Sequence, residues 1–194
     1  MHVWLHRLLL VGVLAIFPVP GRAAESPSEF VTAFLNEAFG LFRTEAITTE
    51  ERRVALRDLF TKKMDMRHMA RFMTMDQVIE AKPDRRQRFE DLLAGYLADT
   101  FYSKIAEGAS ASVDVAHSSR SSTPDSPAVD SIIRKTGSPP EPITWRLRPT
   151  DGSYKIIDVM GEGISLATTH RATFGAVMLV GGLQRLEQML AARQ

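Results

Sequence analysis

Apolar positions recur at helical spacing through the first half of the chain. A first stripe covers residues 30–42 and predicts an amphipathic helix. A second helix is predicted over 48–63, because it begins with threonine and glutamate and ends in two lysines, which suits the helix dipole. A short methionine-rich helix is predicted over 65–73. The longest predicted helix covers 83–108, with proline at its start and glycine at its end.

Further along the chain the spacing of apolar positions changes to two, which is typical of half-buried strands. Strands are predicted at 113–115, 129–135, 143–147 and 154–160. The third is the clearest, because its apolar residues alternate strictly with polar ones. Asp151-Gly152 lies between the third and fourth strands and indicates a hairpin turn.

A helical pattern returns at 168–178 and 183–192, with Gly181-Gly182 between the two segments. This order of elements predicts an α+β fold, because helices precede and follow an antiparallel meander. We therefore expect one domain over residues 24–194. In it, N-terminal helices pack on a four-stranded antiparallel sheet with C-terminal helices.

The first 23 residues have a different character from the rest of the chain. Arg7 precedes an apolar run at 8–17, and Pro18 and Pro20 end that run before several small residues. This order is that of a secretory signal peptide. The run is about half the roughly 20 residues that a membrane span needs. We predict a cleavable signal peptide at 1–23 and an exported protein.

Composition excludes several classes of function. The chain has 194 residues and a formal net charge of +1, without the basic excess that nucleic-acid binding requires. It contains no cysteine, which removes thiol catalysis, disulfides and zinc–thiolate sites. We expect no nucleic-acid partner.

Residues that carry catalytic or metal chemistry are sparse. Asp65 and His68 share a helix face, but a single pair at this spacing is common on solvated surfaces. An enzyme would need Asp158, Glu162 and His170 to converge in one cavity, and their spacing gives no reason for it. We predict no catalytic residue, no metal site and no cofactor.

The apolar side chains are more informative. Four phenylalanines lie between residues 30 and 42, and five methionines lie between 64 and 75. Met69, Phe72 and Met73 fall on one helical face with Met66. Such a face is most simply part of a core, but adaptable methionine side chains also suit the wall of an apolar cavity.

The C-terminal third carries a specific series of residues. It reads Trp145-Arg-Leu-Arg, then Tyr154-Lys-Ile-Ile-Asp-Val-Met-Gly-Glu-Gly-Ile-Ser-Leu, then Thr168-Thr-His-Arg. This series resembles the MlaC family of periplasmic lipid-binding proteins, also known as the toluene-tolerance auxiliary family. The resemblance extends over about 25–192 and is strongest between Trp145 and Phe174.

The resemblance implies an NTF2-like fold with an apolar cavity and the function of a phospholipid carrier. Such a carrier moves glycerophospholipid across the periplasm. Its partners are an inner-membrane ABC transporter complex and an outer-membrane lipoprotein and porin complex. A lipid carrier needs an apolar pocket for the tails, because exposing each acyl methylene to water costs about 0.8 kcal/mol.

On this interpretation, residues of the sheet and of the helices line the pocket. The expected sheet residues are Trp145, Leu147, Ile156 and Val159. The expected helical residues are Phe34, Met69, Phe72, Met73, Leu93, Tyr96 and Leu97.

Two alternatives remain open from the sequence. In the first, the cargo is a hopanoid or another apolar molecule, because the related HpnM proteins share this architecture and are associated with hopanoid lipids. In the second, the chain is a non-catalytic envelope adaptor with a filled core.

Overall fold

A computed structural model describes residues 25–116 and 123–193. The predicted signal peptide at 1–23 lies outside the described residues. The elements are α1 (Pro27–Arg43), α2 (Thr49–Lys63), α3 (Met66–Met73), a 3₁₀ turn (Gln77–Glu80), α4 (Pro83–Gly108), β1 (Ser112–Ala116), β2 (Ala128–Arg134), β3 (Glu141–Thr150), β4 (Ser153–Gly161), β5 (Ile164–Ser165) and α5 (Leu166–Ala191).

Local capping residues fix where the first helices begin. At α1 the Ser26 hydroxyl accepts from the Glu29 backbone N–H (3.2 Å), and the Glu29 carboxylate accepts from the Ser26 N–H (2.8 Å). Thr48 and Glu51 repeat this capping box at α2. At α3 the Asp65 carboxylate accepts from the His68 N–H at 2.9 Å. The predicted helix starts are therefore confirmed within a few residues.

The sheet is an antiparallel meander in which the strands follow chain order, from β1 to β5. The α+β class is confirmed, but the predicted count of four strands was wrong. After β4 the chain reverses at Glu162 and Gly163, which have φ values of +51° and +79°. Ile164 and Ser165 then pair with the end of β4 as a two-residue strand. A strand this short has no detectable periodicity, so the sequence pattern did not reveal it.

Helix α5 is broken where the sequence predicted an interruption. Gly182 has a φ of +61°, which a side chain would oppose, and the helix resumes behind it. Leu186 and Leu190 bury the last segment in the core. Arg85 of α4 also holds this segment through a two-pronged ion pair with Glu187, at 2.8 and 2.9 Å.

The segment before α3 pairs with the middle of β4 on the side away from β3. Met64 forms a parallel bridge with Ile156, and the Asp65 N–H donates to the Ile156 carbonyl at 2.8 Å. The start of α3 is thereby fixed to the sheet, and its buried methionines Met69 and Met73 reach the core.

None of the helices in the described part of the chain is both long enough and apolar enough to cross a membrane.

Candidate functional site

A cavity of about 610 Å³ lies between the sheet and the helices. Its volume falls within the range of roughly 300–1,000 Å³ that is usual for small-molecule sites. Most of its wall is apolar. The lining residues are Phe34, Leu35, Ala38, Phe39, Phe60, Met64, Phe101, Lys104, Ile105, Gly108, Ile133, Lys135, Pro139, Pro140, Glu141, Pro142, Ile143, Trp145, Val159, Gly161, Glu162, Ile164, Leu166 and Thr169.

Aromatic rings form the buried floor of this cavity. The Phe34 ring contacts the Trp145 ring edge-on at 5.5 Å between centroids, and it contacts Phe60 at 6.1 Å. The Trp145 indole N–H donates to the Ser131 hydroxyl at 2.9 Å. Because this bond satisfies the indole nitrogen, the ring presents only apolar surface to the cavity.

The exposed lining residues mark the mouth of the cavity. Pro139, Pro140 and Ile164 form an apolar part of this rim, and Ile164 is 65% exposed. Lys104 and Glu162 are also exposed lining residues. The cavity therefore joins an apolar floor to a rim that carries charges of both signs.

Lys135 is a further lining cation, and it forms ion pairs with two carboxylates of the protein. Its ammonium group lies 2.8 Å from Glu141 and 3.0 Å from Glu107. The hydrogen bond to Glu141 raises the pKa of Lys135, with the Glu107 bond adding to it. The same bond lowers the pKa of the Glu141 carboxyl. This triad links α4 to the sheet at the mouth.

Asp158 fixes the turn that forms the other side of the mouth. Its buried carboxylate accepts from the Ser165 hydroxyl at 2.6 Å and from the backbone N–H groups of Ala167 (3.0 Å) and Val159 (2.9 Å). Ser165 in turn accepts from the Thr168 N–H at 3.0 Å, which caps α5. One carboxylate thus joins β4, the turn and α5.

Three of the predicted ligand-contact residues line the cavity. They are Phe34 of α1, Trp145 of β3 and Val159 of β4, and the last two are paired across neighbouring strands. Their contact with a ligand stays a prediction, and the geometry is compatible with it.

The other eight predicted residues do not line this cavity. Six of them are fully buried in the core. Met69, Met73, Leu93 and Leu97 belong to α3 and α4, on which α5 packs, and Leu147 and Ile156 belong to the sheet. Phe72 is 37% exposed and lies under the Arg171 guanidinium at 4.8 Å. Tyr96 packs edge-on against His170 (5.3 Å) and Phe174 (5.7 Å). Ligand contact by these eight also stays a prediction.

The sequence analysis missed the part of the cavity wall that comes from the C-terminal halves of α1 and α4. Leu35, Ala38 and Phe39 extend the α1 wall, and Phe101 and Ile105 supply the α4 wall. One signal was present in the sequence. The apolar stripe of α1 is wider than a single helix contact requires, so part of it was free to face a cavity.

The three residues of a hypothetical catalytic site do not meet. Among the described residues, no hydrogen bond connects Asp158, Glu162 and His170, and only Glu162 lines the cavity. No group of three histidine or acidic side chains in the described ranges is arranged to hold a metal ion.

His170 is buried with no hydrogen-bond partner for its Nδ1 in the part of the chain that the structure describes. Tyr96 and Phe174 surround the ring, and Arg193 lies over the Tyr96 ring. Burial lowers the pKa of His170, and the positive charge of Arg193 adds to this effect.

Acidification is therefore expected to destabilise the protein. His170 stays neutral when folded but binds a proton when unfolded, so stability falls as pH drops below about 6.5 toward the lowered folded pKa. Thermal unfolding of wild type and His170→Phe at a series of pH values measures this effect. The variant should lose less stability on acidification. It keeps part of the dependence, because burial also lowers the pKa of His68. Identical pH profiles would contradict the assignment.

The fold and the cavity define this chain as an α+β protein with an apolar cavity between the sheet and the helices. The MlaC protein family model matches residues 35–192, and the chain belongs to this family. A solved structure of similar fold is a phospholipid-binding protein from Ralstonia solanacearum in complex with a phospholipid. The match has a TM-score of 0.74 and 16% identity, and covers 86% of this chain and 95% of that one. No curated protein matches the sequence.

Proposed function

We propose that this protein is a periplasmic carrier of glycerophospholipid. The acyl chains occupy the cavity between the sheet and helices α1 and α4, and the headgroup lies at the mouth. The observation that carries the proposal is the apolar cavity of about 610 Å³ in a member of the MlaC family. The phospholipid complex of the structurally similar Ralstonia protein supports the choice of cargo.

The geometry suits a carrier because the cavity has both an apolar floor and an open mouth. Transfer of each acyl methylene out of water is favourable by about 0.8 kcal/mol, so an apolar floor can replace the bilayer as the surroundings of the tails. The open mouth leaves a route for the lipid to depart. A carrier needs both, since a pocket much better than the membrane would never release its cargo.

The proposed route of transport follows from the family rather than from any contact in this chain. We include in the proposal an exchange of cargo between an inner-membrane ABC transporter complex and an outer-membrane lipoprotein and porin complex. The N-terminal sequence pattern supports export through a cleaved signal peptide.

The two alternatives differ in what the cavity does. An envelope adaptor needs a filled core, and a cavity of this size argues against it. A hopanoid carrier needs an apolar cavity as well, so the identity of the bound molecule separates it from the proposal.

Native mass spectrometry of the mature protein, purified from a Gram-negative periplasm, tests the proposal directly. We expect one diacyl phospholipid per protein, identified after extraction. A stoichiometric hopanoid would transfer the protein to the alternative cargo. A folded protein that is empty and takes no lipid from vesicles would contradict both carrier functions.

A further inference from the structure

Two charged side chains of opposite sign line the mouth of the cavity. Lys104 extends from α4, and Glu162 belongs to the turn between β4 and β5. Within residues 25–116 and 123–193 neither forms a salt bridge, whereas Lys135 is held by Glu107 and Glu141. Besides the hydrogen bond from Lys135, the nearby charge of Lys104 also lowers the pKa of the Glu141 carboxyl. On the described part of the rim, Lys104 is therefore a cation and Glu162 an anion that a ligand can reach.

The backbone conformation at Glu162 sets where its carboxylate stands on the rim. Its φ of +51° lies in the left-handed region, which glycine adopts without strain and other residues rarely do. Glycine occupies the positions on both sides of it, Gly161 and Gly163, yet the central position carries a carboxylate. A two-residue hairpin turn requires positive φ at both of its central residues, which here are Glu162 and Gly163. At this site it places a negative charge on the cavity rim.

We propose that Lys104 and Glu162 together recognise a zwitterionic headgroup, an inference that rests on the proposed phospholipid cargo. Lys104 binds the phosphate, and Glu162 binds the amine. A headgroup that carries phosphate but no amine gains only the Lys104 contact and brings its negative charge near Glu162. The carrier should thus prefer phosphatidylethanolamine to phosphatidylglycerol of the same acyl composition.

The expected preference is modest. Both side chains are exposed, and exposed ion pairs contribute little, so each contact changes affinity about two- to fivefold. Salt screens such contacts, so the preference should shrink at high ionic strength. Selectivity of this size biases which lipid is carried without preventing its release.

A competition experiment tests this inference. Delipidated protein is incubated with vesicles that contain equal amounts of phosphatidylethanolamine and phosphatidylglycerol with identical acyl chains. Native mass spectrometry then gives the ratio of the two bound lipids. We expect wild type to favour phosphatidylethanolamine about two- to fivefold. Glu162→Gln should bring the ratio close to one, and Glu162→Lys should invert it.

Lys104→Gln should reduce uptake of both lipids, because both carry the phosphate. Asp114→Asn is a matched control, since Asp114 pairs with Arg134 outside the cavity lining, and the ratio should not change. Glu162→Gly adds a readout of the backbone. It should raise the unfolding temperature while abolishing the preference, whereas a residue that serves only the turn would leave the ratio unchanged.

The outcomes separate this inference from the proposed function. Uptake of both lipids without preference, or a preference that survives in Glu162→Gln, would overturn headgroup recognition and leave the carrier intact. Failure of wild type to take up either lipid would overturn the carrier function itself.

Discussion

Val159→Asp is expected to fold and to retain no phospholipid. Val159 is half-buried on the sheet wall of the cavity, opposite Trp145 on the neighbouring strand. In the empty protein, water entering through the mouth hydrates the new carboxylate. Acyl chains would instead bury it without a partner, which costs several kcal/mol. Since about 1.4 kcal/mol corresponds to tenfold in affinity, binding should weaken at least a hundredfold.

Native mass spectrometry of protein purified from the periplasm measures the loss, and circular dichroism with thermal unfolding confirms the fold. Val159→Asn is the matched control, because it has nearly the same shape without the charge. It should retain more lipid than Val159→Asp. Stoichiometric phospholipid on folded Val159→Asp would show that the tails do not occupy this cavity.

Asp158→Ala is expected to lower the free energy of unfolding more than any of the other substitutions proposed for this protein. The substitution leaves three donors without their acceptor: the Ser165 hydroxyl and the backbone N–H groups of Val159 and Ala167. Each buried donor left unsatisfied costs about 1–3 kcal/mol. Because Val159 and Ser165 are only half-buried, their donors regain some hydration, and we expect a total near 3 kcal/mol. For a chain of this length that corresponds to a decrease of about 6–12 °C in unfolding temperature.

Asp158→Asn serves as the control for this second prediction. Its amide oxygen still accepts from the two backbone N–H groups, so it should lose clearly less stability than the alanine variant. Lipid retention should fall in Asp158→Ala as well, because the turn that carries Glu162 and Ile164 loses its anchor. An alanine variant that melts together with the wild type would contradict the structural role of this carboxylate.

Most of the fold was predictable because its signals are local. The Ser26 and Thr48 caps, the Asp151-Gly152 turn and the Gly181-Gly182 break each act within a few residues of where they stand in the sequence. The fifth strand was not predictable from the pattern of apolar positions. It consists of two residues, and it pairs only because a left-handed turn returns the chain to β4.

The cavity was predictable only in part, because periodicity shows that a face is buried but not what covers it. Met69 and Leu93 have the same apolar character as Phe34. Helix α5 packs on α3 and α4, however, and Met69 and Leu93 of these helices are fully buried. Phe34 instead contacts Trp145 of the sheet, and both side chains line the cavity. This difference depends on contacts between elements far apart in the sequence.

The pairing of Met64 and Asp65 with Ile156 also bears on self-association of the protein. A strand with free backbone donors and acceptors along its outer side is a template for a second chain, and edge-to-edge growth begins there. Along β4 these groups are engaged by β5 at one end and by the segment before α3 near the middle. These contacts are made by backbone atoms rather than by the side chains that line the cavity. These contacts leave fewer free backbone groups along β4 at which a second chain could pair.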